Sequence, residues 1–118
     1  MDAEPCPVRE VLDRLGDAWS VLVVLRLGEG PARFNALRRQ VGGISQRMLT
    51  VTLRSLERDG LVSRRVIPST PPQVEYALTA LGASLSEPIA SLTRWAAAHQ
   101  QDVRRCRAAF DARQVEAA

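Results

Sequence analysis

The chain contains no lysine. All sixteen of its basic residues are arginine, a usage that fits a GC-rich genome as readily as a demand for the planar, bidentate forks that match phosphate. Histidine is nearly missing too, with one in 118 residues. The sequence has no glycine loop to cradle a phosphate, no metal-spaced ligand cluster and no nucleophile set beside a general base. Those absences argue against an enzyme, a metal site and a bound cofactor. The two cysteines, Cys6 and Cys106, lie far apart and are expected to be free thiols in a reducing compartment. No stretch reaches the roughly 18 apolar residues of a membrane span, and the N-terminus lacks a charged-then-apolar signal pattern. A cytoplasmic location is therefore expected, with no membrane partner.

What is present is an ordinary globular composition, 46% hydrophobic and 25% charged, in a length that suits one small domain with an extra arm. Its charge is unevenly spread. Between Arg33 and Arg65 there are eight arginines and two acids, Glu57 and Asp59, for a local charge of +6, whereas the whole chain carries +3. Everything outside that window therefore sums to −3. A cationic segment of this kind is the electrostatic footprint of a phosphate-backbone binder.

Residues 1–7 read as a short arm. Val8, Val11, Leu12 and Leu15 recur at helical spacing. Asp17 is placed to cap a second helix, Ala18 to Leu27, which is apolar nearly all round and is expected to be buried. A third helix, Arg33 to Val41, leads through Gly42 and Gly43 into residues 45–59. There Ser45 is the expected N-cap and Gly60 the stop. Leu49, Leu53 and Leu56 fall on one stripe of that helix, and Arg47, Thr50, Val51, Arg54 and Arg58 spread over the opposite face. Two short helices joined by a glycine turn have helix-turn-helix spacing. Leu61 to Ile67 and Val74 to Leu78 then read as two strands of a hairpin whose tip is stiffened by Pro68, Pro71 and Pro72, in other words a wing.

From Thr79 to about Arg113 the pattern is helical, with a kink or restart expected at Pro88. Leu85, Ile89, Leu92, Ala96, His99, Val103, Cys106 and Phe110 alternate four and three residues apart, as in a seam between helices of two chains. The first half of this stripe could equally pack on its own domain. The second half reaches past so small a core, which favours a second copy. The expected fold is mainly α with a small β-hairpin, a winged helix-turn-helix with a long C-terminal dimerisation helix. It divides into an arm (1–7), the winged domain (8–98) and a helical extension (99–118).

Five segments, CPV (6–8), LDRLGDAWS (12–20), GPARFNAL (30–37), GISQRMLTVTLRSLERDGLVSR (43–64) and PPQVEYALTALG (71–82), closely resemble the HxlR family of winged-helix bacterial transcriptional regulators. The resemblance covers most of residues 6–96. It implies a homodimer with recognition helices in successive major grooves of double-stranded DNA, a wing on the flanking backbone, and an interface built from the first and last helices. It places Cys6 where some members sense electrophiles or oxidants. Arg9, one turn on, could lower the thiol pKa there. The family's basic residue is absent at Asp17 and Ala18, so no role is assigned to either.

The expected DNA-binding residues are Ser45, Gln46, Arg47, Thr50, Arg54 and Arg58 on the recognition helix, Arg64 and Arg65 on the wing, and Arg33. Arg47 or Arg54 suits a guanine edge and Gln46 an adenine, although half or more of such contacts go to phosphate. Cys6 is the redox-sensing candidate. The expected dimer interface comprises Val8, Val11, Leu12, Leu85, Ile89, Leu92, Trp95, Ala96, His99, Val103, Cys106 and Phe110. The reading is a sequence-specific repressor acting as a homodimer under a redox or small-molecule signal. The alternative is a winged-helix module that binds protein and not specific DNA.

Overall fold

The computed structural model describes residues 17–117. Its elements are α1 (Ala18–Leu27), β1 (Ala32–Arg33), α2 (Phe34–Gln40), α3 (Gln46–Arg58), β2 (Val62–Ile67), β3 (Gln73–Leu78) and α4 (Ala80–Ala117). The fold is mainly helical with a small antiparallel sheet, the winged helix-turn-helix with a long C-terminal helix that the sequence predicts. The Val8, Val11 and Leu12 stripe and Cys6 lie outside the described residues.

Helix α1 starts where the Asp17 carboxylate accepts from the Trp19 backbone N–H at 3.1 Å and from the Ser20 hydroxyl at 2.9 Å, satisfying one orphan donor of the first turn. Its Val23, Val24 and Leu27 are buried. The expectation of burial all round is not met: Leu22 is 44% exposed. Among the described elements the helix packs against α2, α3 and β3, and that packing does not cover Leu22.

Helix α2 begins one residue later than expected. Arg33 belongs instead to β1, a two-residue strand that pairs with β3 through Ala32↔Tyr76 and Arg33↔Glu75. The sheet order is therefore β1-β3-β2, with β3 in the middle and not at the edge of a bare hairpin. Val41 and Ile44 are buried in the turn between α2 and α3, which pins the two helices of the helix-turn-helix.

Helix α3 ends in a Schellman arrangement. Gly60, at φ +78°, adopts the left-handed conformation that only glycine reaches without a Cβ penalty. Its N–H donates to the Glu57 carbonyl, and the Leu61 N–H donates to the Leu56 carbonyl at 3.0 Å. The chain then enters β2, and β2 and β3 pair in register from Val62↔Leu78 to Ile67↔Gln73. Beyond Val62 the hairpin leaves the core: Ser63, Arg64, Arg65 and Val66 are all exposed.

Thr79 joins the wing to α4. Its backbone N–H donates to the Leu61 carbonyl at 3.1 Å, its hydroxyl donates to the Gly60 carbonyl at 2.5 Å, and its Oγ1 accepts from the Gly82 N–H at 3.1 Å. Gly82 lies so close to this turn that an added Cβ would sit 2.0 Å from the Leu61 carbonyl oxygen. The start of α4 is thereby seated on the exit of α3. Pro88 lies inside α4, so the helix does not restart there, and it runs on to Ala117. The chain divides into two compact units, the first ending at Glu87 and the second beginning at Pro88. Among the described residues no helix is long and apolar enough to cross a membrane.

Candidate nucleic-acid interface

The outward face of α3 is built by its inward one. Leu49, Leu53 and Leu56 are buried at 1% exposure or less, and each contributes roughly 1.5–3 kcal/mol of transfer free energy. With that stripe anchored, the 100° step per residue turns Gln46, Arg47, Thr50, Arg54 and Arg58 outward, and all five are exposed. Ser45 caps the helix as expected, its Oγ accepting from the Met48 N–H at 3.0 Å. The Thr50 hydroxyl donates to the Gln46 carbonyl at 2.9 Å, so in this rotamer the hydroxyl offers a partner its oxygen lone pairs and not its proton. Met48 and Val51 are exposed as well, adding apolar surface among the arginines. The mixture suits a DNA groove, since a thymine presents a methyl group beside its polar edge.

On the wing, Arg64 and Arg65 are both exposed, but they are not equivalent. Arg65 faces Glu75 across the β2–β3 ladder and donates to its carboxylate at 3.0 Å. Arg64 stands opposite Tyr76. Arg33 lies opposite Glu75 on the other side of β3, so one carboxylate sits between two arginines from strands far apart in sequence. Glu75 falls outside the basic window and only the pairing register brings it in. Counting charge along the chain could not reveal that it partly offsets Arg65.

Between α2 and the wing tip runs an open groove of about 490 Å³. It is lined by Arg33 and Arg39 as well as Phe34, Pro71, Pro72 and Gln73. Arg38 and Arg39 are both expected from the sequence to meet either the DNA backbone or solvent, with nothing to tell them apart. Arg39 is exposed at the end of α2, and what sets it apart from Arg38 is the nearness of residues 71–73, which no local pattern encodes.

In the second unit, α4 carries the expected stripe. Leu92, Trp95 and Phe110 are 57%, 56% and 52% exposed, Ala96, His99 and Cys106 are exposed, and Val103 is half-buried. At the beginning of the stripe Leu85 is half-buried and Ile89 buried. The Trp95 and His99 rings lie 4.7 Å apart, His99 Nδ1 is 3.4 Å from Asp102, and Arg105 donates to Asp102 on the same helix. The Arg113 guanidinium sits 5.8 Å from the centre of the Phe110 ring. These contacts order the side chains and leave the apolar surface open.

Comparison with known proteins agrees with this geometry. Residues 14–104 match the model of the HxlR-like helix-turn-helix family. The chain is 48% identical to the uncharacterized HTH-type transcriptional regulator YtfH of Escherichia coli over 93 residues, 79% of this chain and 74% of that one. The redox regulator HypR in its reduced form shares 37% identity at a TM-score of 0.80, covering 85% of this chain and 99% of HypR. The reduced form of the transcriptional regulator YodB from B. subtilis shares 35% identity at a TM-score of 0.69, covering 79% and 92%.

Proposed function

The chain belongs to the HxlR-like helix-turn-helix family and is a transcriptional regulator of that type, and we propose that it binds a specific double-stranded DNA site as a homodimer and represses transcription there. The observation that carries this reading is the α3 face: Gln46, Arg47, Thr50, Arg54 and Arg58 stand exposed opposite three buried leucines. In the bound state α3 lies in the major groove with its N-terminal residues toward base edges, and Arg47 and Arg54 are the candidates for bidentate contact with guanine. The Ser45 end of the helix, Arg64 and Arg33 address phosphate, with Arg65 a weaker contributor because Glu75 holds it. The winged domain, residues 8–98, is presented twice through the stripe from Leu92 to Phe110, and the operator is correspondingly pseudo-palindromic with half-sites about 10 base pairs apart. Occupying such a site blocks a promoter sterically.

The HypR and YodB relatives, the first named a redox regulator and the second solved in reduced and diamide-treated forms, support an oxidant input to this chain, with Cys6 as its candidate sensor.

A gel shift on the DNA upstream of the chain's own gene tests both parts. Arg54→Ala is expected to weaken specific binding by about 1–3 kcal/mol, roughly 5- to 150-fold, with the thermal melt unchanged. Wild-type affinity from a folded Arg54→Ala protein would remove α3 from the groove. An absence of any salt-sensitive duplex affinity in the wild type would favour a protein-binding winged helix. Diamide is expected to release the wild-type complex and leave Cys6→Ser bound; equal release of both would place the sensor elsewhere.

A further inference from the structure

We propose that the groove between α2 and the wing tip is an anion site that seats one phosphodiester of the DNA backbone, outside the base pairs reached by α3. Arg33 and Arg39 both line it, and none of its lining residues is acidic. Neither guanidinium has a carboxylate partner among the described residues. The carboxylate nearest by register, Glu75, is held by Arg65 at 3.0 Å and does not line the groove. Two exposed guanidiniums lining one depression raise its positive potential, and the planar fork of arginine matches two phosphate oxygens at once.

The walls set the size and class of the ligand. Phe34, Pro71 and Pro72 offer no side-chain donor, and the prolines have no N–H, so the charge of the site comes from the two arginines, with the Asn35 and Gln73 amides as the neutral polar groups of the lining. Gln73 lines the same groove, and its buried side-chain oxygen has no donor. A guanidinium has five N–H groups, enough to hold a phosphate bidentately and still supply that acceptor. The groove joins the first helix of the helix-turn-helix to the wing tip, and a backbone phosphate held there would tie the two elements on either side of α3 to one strand. This inference rests on the DNA-binding reading above and adds to it Arg39 and a fixed seat for Arg33.

The shared chemistry, a phosphate-like anion, could also come from a free ion, and the test separates the two sources. Affinity for a mixed-sequence duplex of about three helical turns is measured for wild type, Arg39→Ala and Arg38→Ala from about 50 to 200 mM salt. Arg38 is the next residue on the same helix and carries the same charge, but does not line the groove. Arg39→Ala removes one contact from each subunit of the dimer and should reduce the log–log salt slope by about 1.8, equivalent to about 12-fold less affinity lost over that range; Arg38→Ala should keep the wild-type slope. An unchanged slope in Arg39→Ala, or an equal reduction in Arg38→Ala, overturns the site in favour of a diffuse field. In a parallel arm, inorganic phosphate replaces chloride at constant ionic strength. A phosphate-dependent rise in melting temperature that is lost in Arg39→Ala, combined with an unchanged slope, assigns the groove to a free anion and overturns the backbone reading. Arg39→Gln, which keeps the aliphatic stem and a polar end while removing the charge, guards against a folding defect. If the wild type itself shows no salt slope, it is the DNA-binding function that fails, a result distinct from failure of the groove.

Discussion

Thr52 is the residue that departs furthest from its surroundings. It sits on the buried side of α3 at 2% exposure, beside Leu49, Leu53 and Leu56, and its Oγ1 has no hydrogen-bond partner. A buried hydroxyl without a partner keeps most of its desolvation cost. Thr52→Val retains the β-branched shape and removes the stranded group, and is expected to stabilise the protein by about 1 kcal/mol. A urea titration would show this as a higher midpoint with the slope unchanged, and DNA affinity should stay the same because the residue faces inward. A lower midpoint would mean that the hydroxyl has a partner in solution. Sequence reasoning found the three leucines and missed Thr52, because a 3.6-residue period marks the centre of a buried stripe by hydrophobicity and a threonine at its edge resembles surface.

At the scale of elements, α3 was almost fully legible and its neighbours less so. Ser45, the leucine stripe and Gly60 are short-range signals, each acting within one or two turns, and α3 begins and ends where they predict. Strand β1 has only two residues and exists because β3 offers Tyr76 and Glu75 as partners more than forty positions away; nothing local specifies it. The seat of α4 on the exit of α3 is likewise a tertiary contact. Gly82 and the Leu61 carbonyl approach so closely that Gly82→Ala must push the two segments apart, and a loss of about 3 kcal/mol is expected, at the upper end of overpacking effects. Thermal melting followed by circular dichroism should show a large drop in Tm for Gly82→Ala. For Ala83→Gly, which merely weakens the helix, the loss of stability should be near 1 kcal/mol and the drop in Tm correspondingly smaller. Equal effects would mean that the close approach relaxes freely.

At the scale of the whole molecule, the reading depends on a second copy. From Pro88 onward the second unit consists, among the described residues, of the rest of α4, and a single helix cannot bury its own Leu92, Trp95 and Phe110. Pairing with the same stripe of another chain would cover them, and each fully buried side chain would contribute roughly 1.5–3 kcal/mol. Trp95→Glu combined with Phe110→Glu places two charges on that stripe and is expected to convert a dimer to a monomer in multi-angle light scattering. Operator affinity should fall with it, because two half-sites would no longer be held together. A dimer that survives both changes would shift the interface away from residues 92–110.

The order of the described helices and of the two wing strands, the cap and stop of α3 and the concentration of arginine could be read from residues alone, since periodicity, capping and charge are carried by neighbours along the chain. Which charges remain available was decided only by the fold. The pairing register placed Glu75 between Arg33 and Arg65, the approach of residues 71–73 to α2 made a groove from Arg33 and Arg39, and the packing of α1 left Leu22 exposed. Each of these joins residues tens of positions apart, and an interaction over that separation leaves no local period in the sequence.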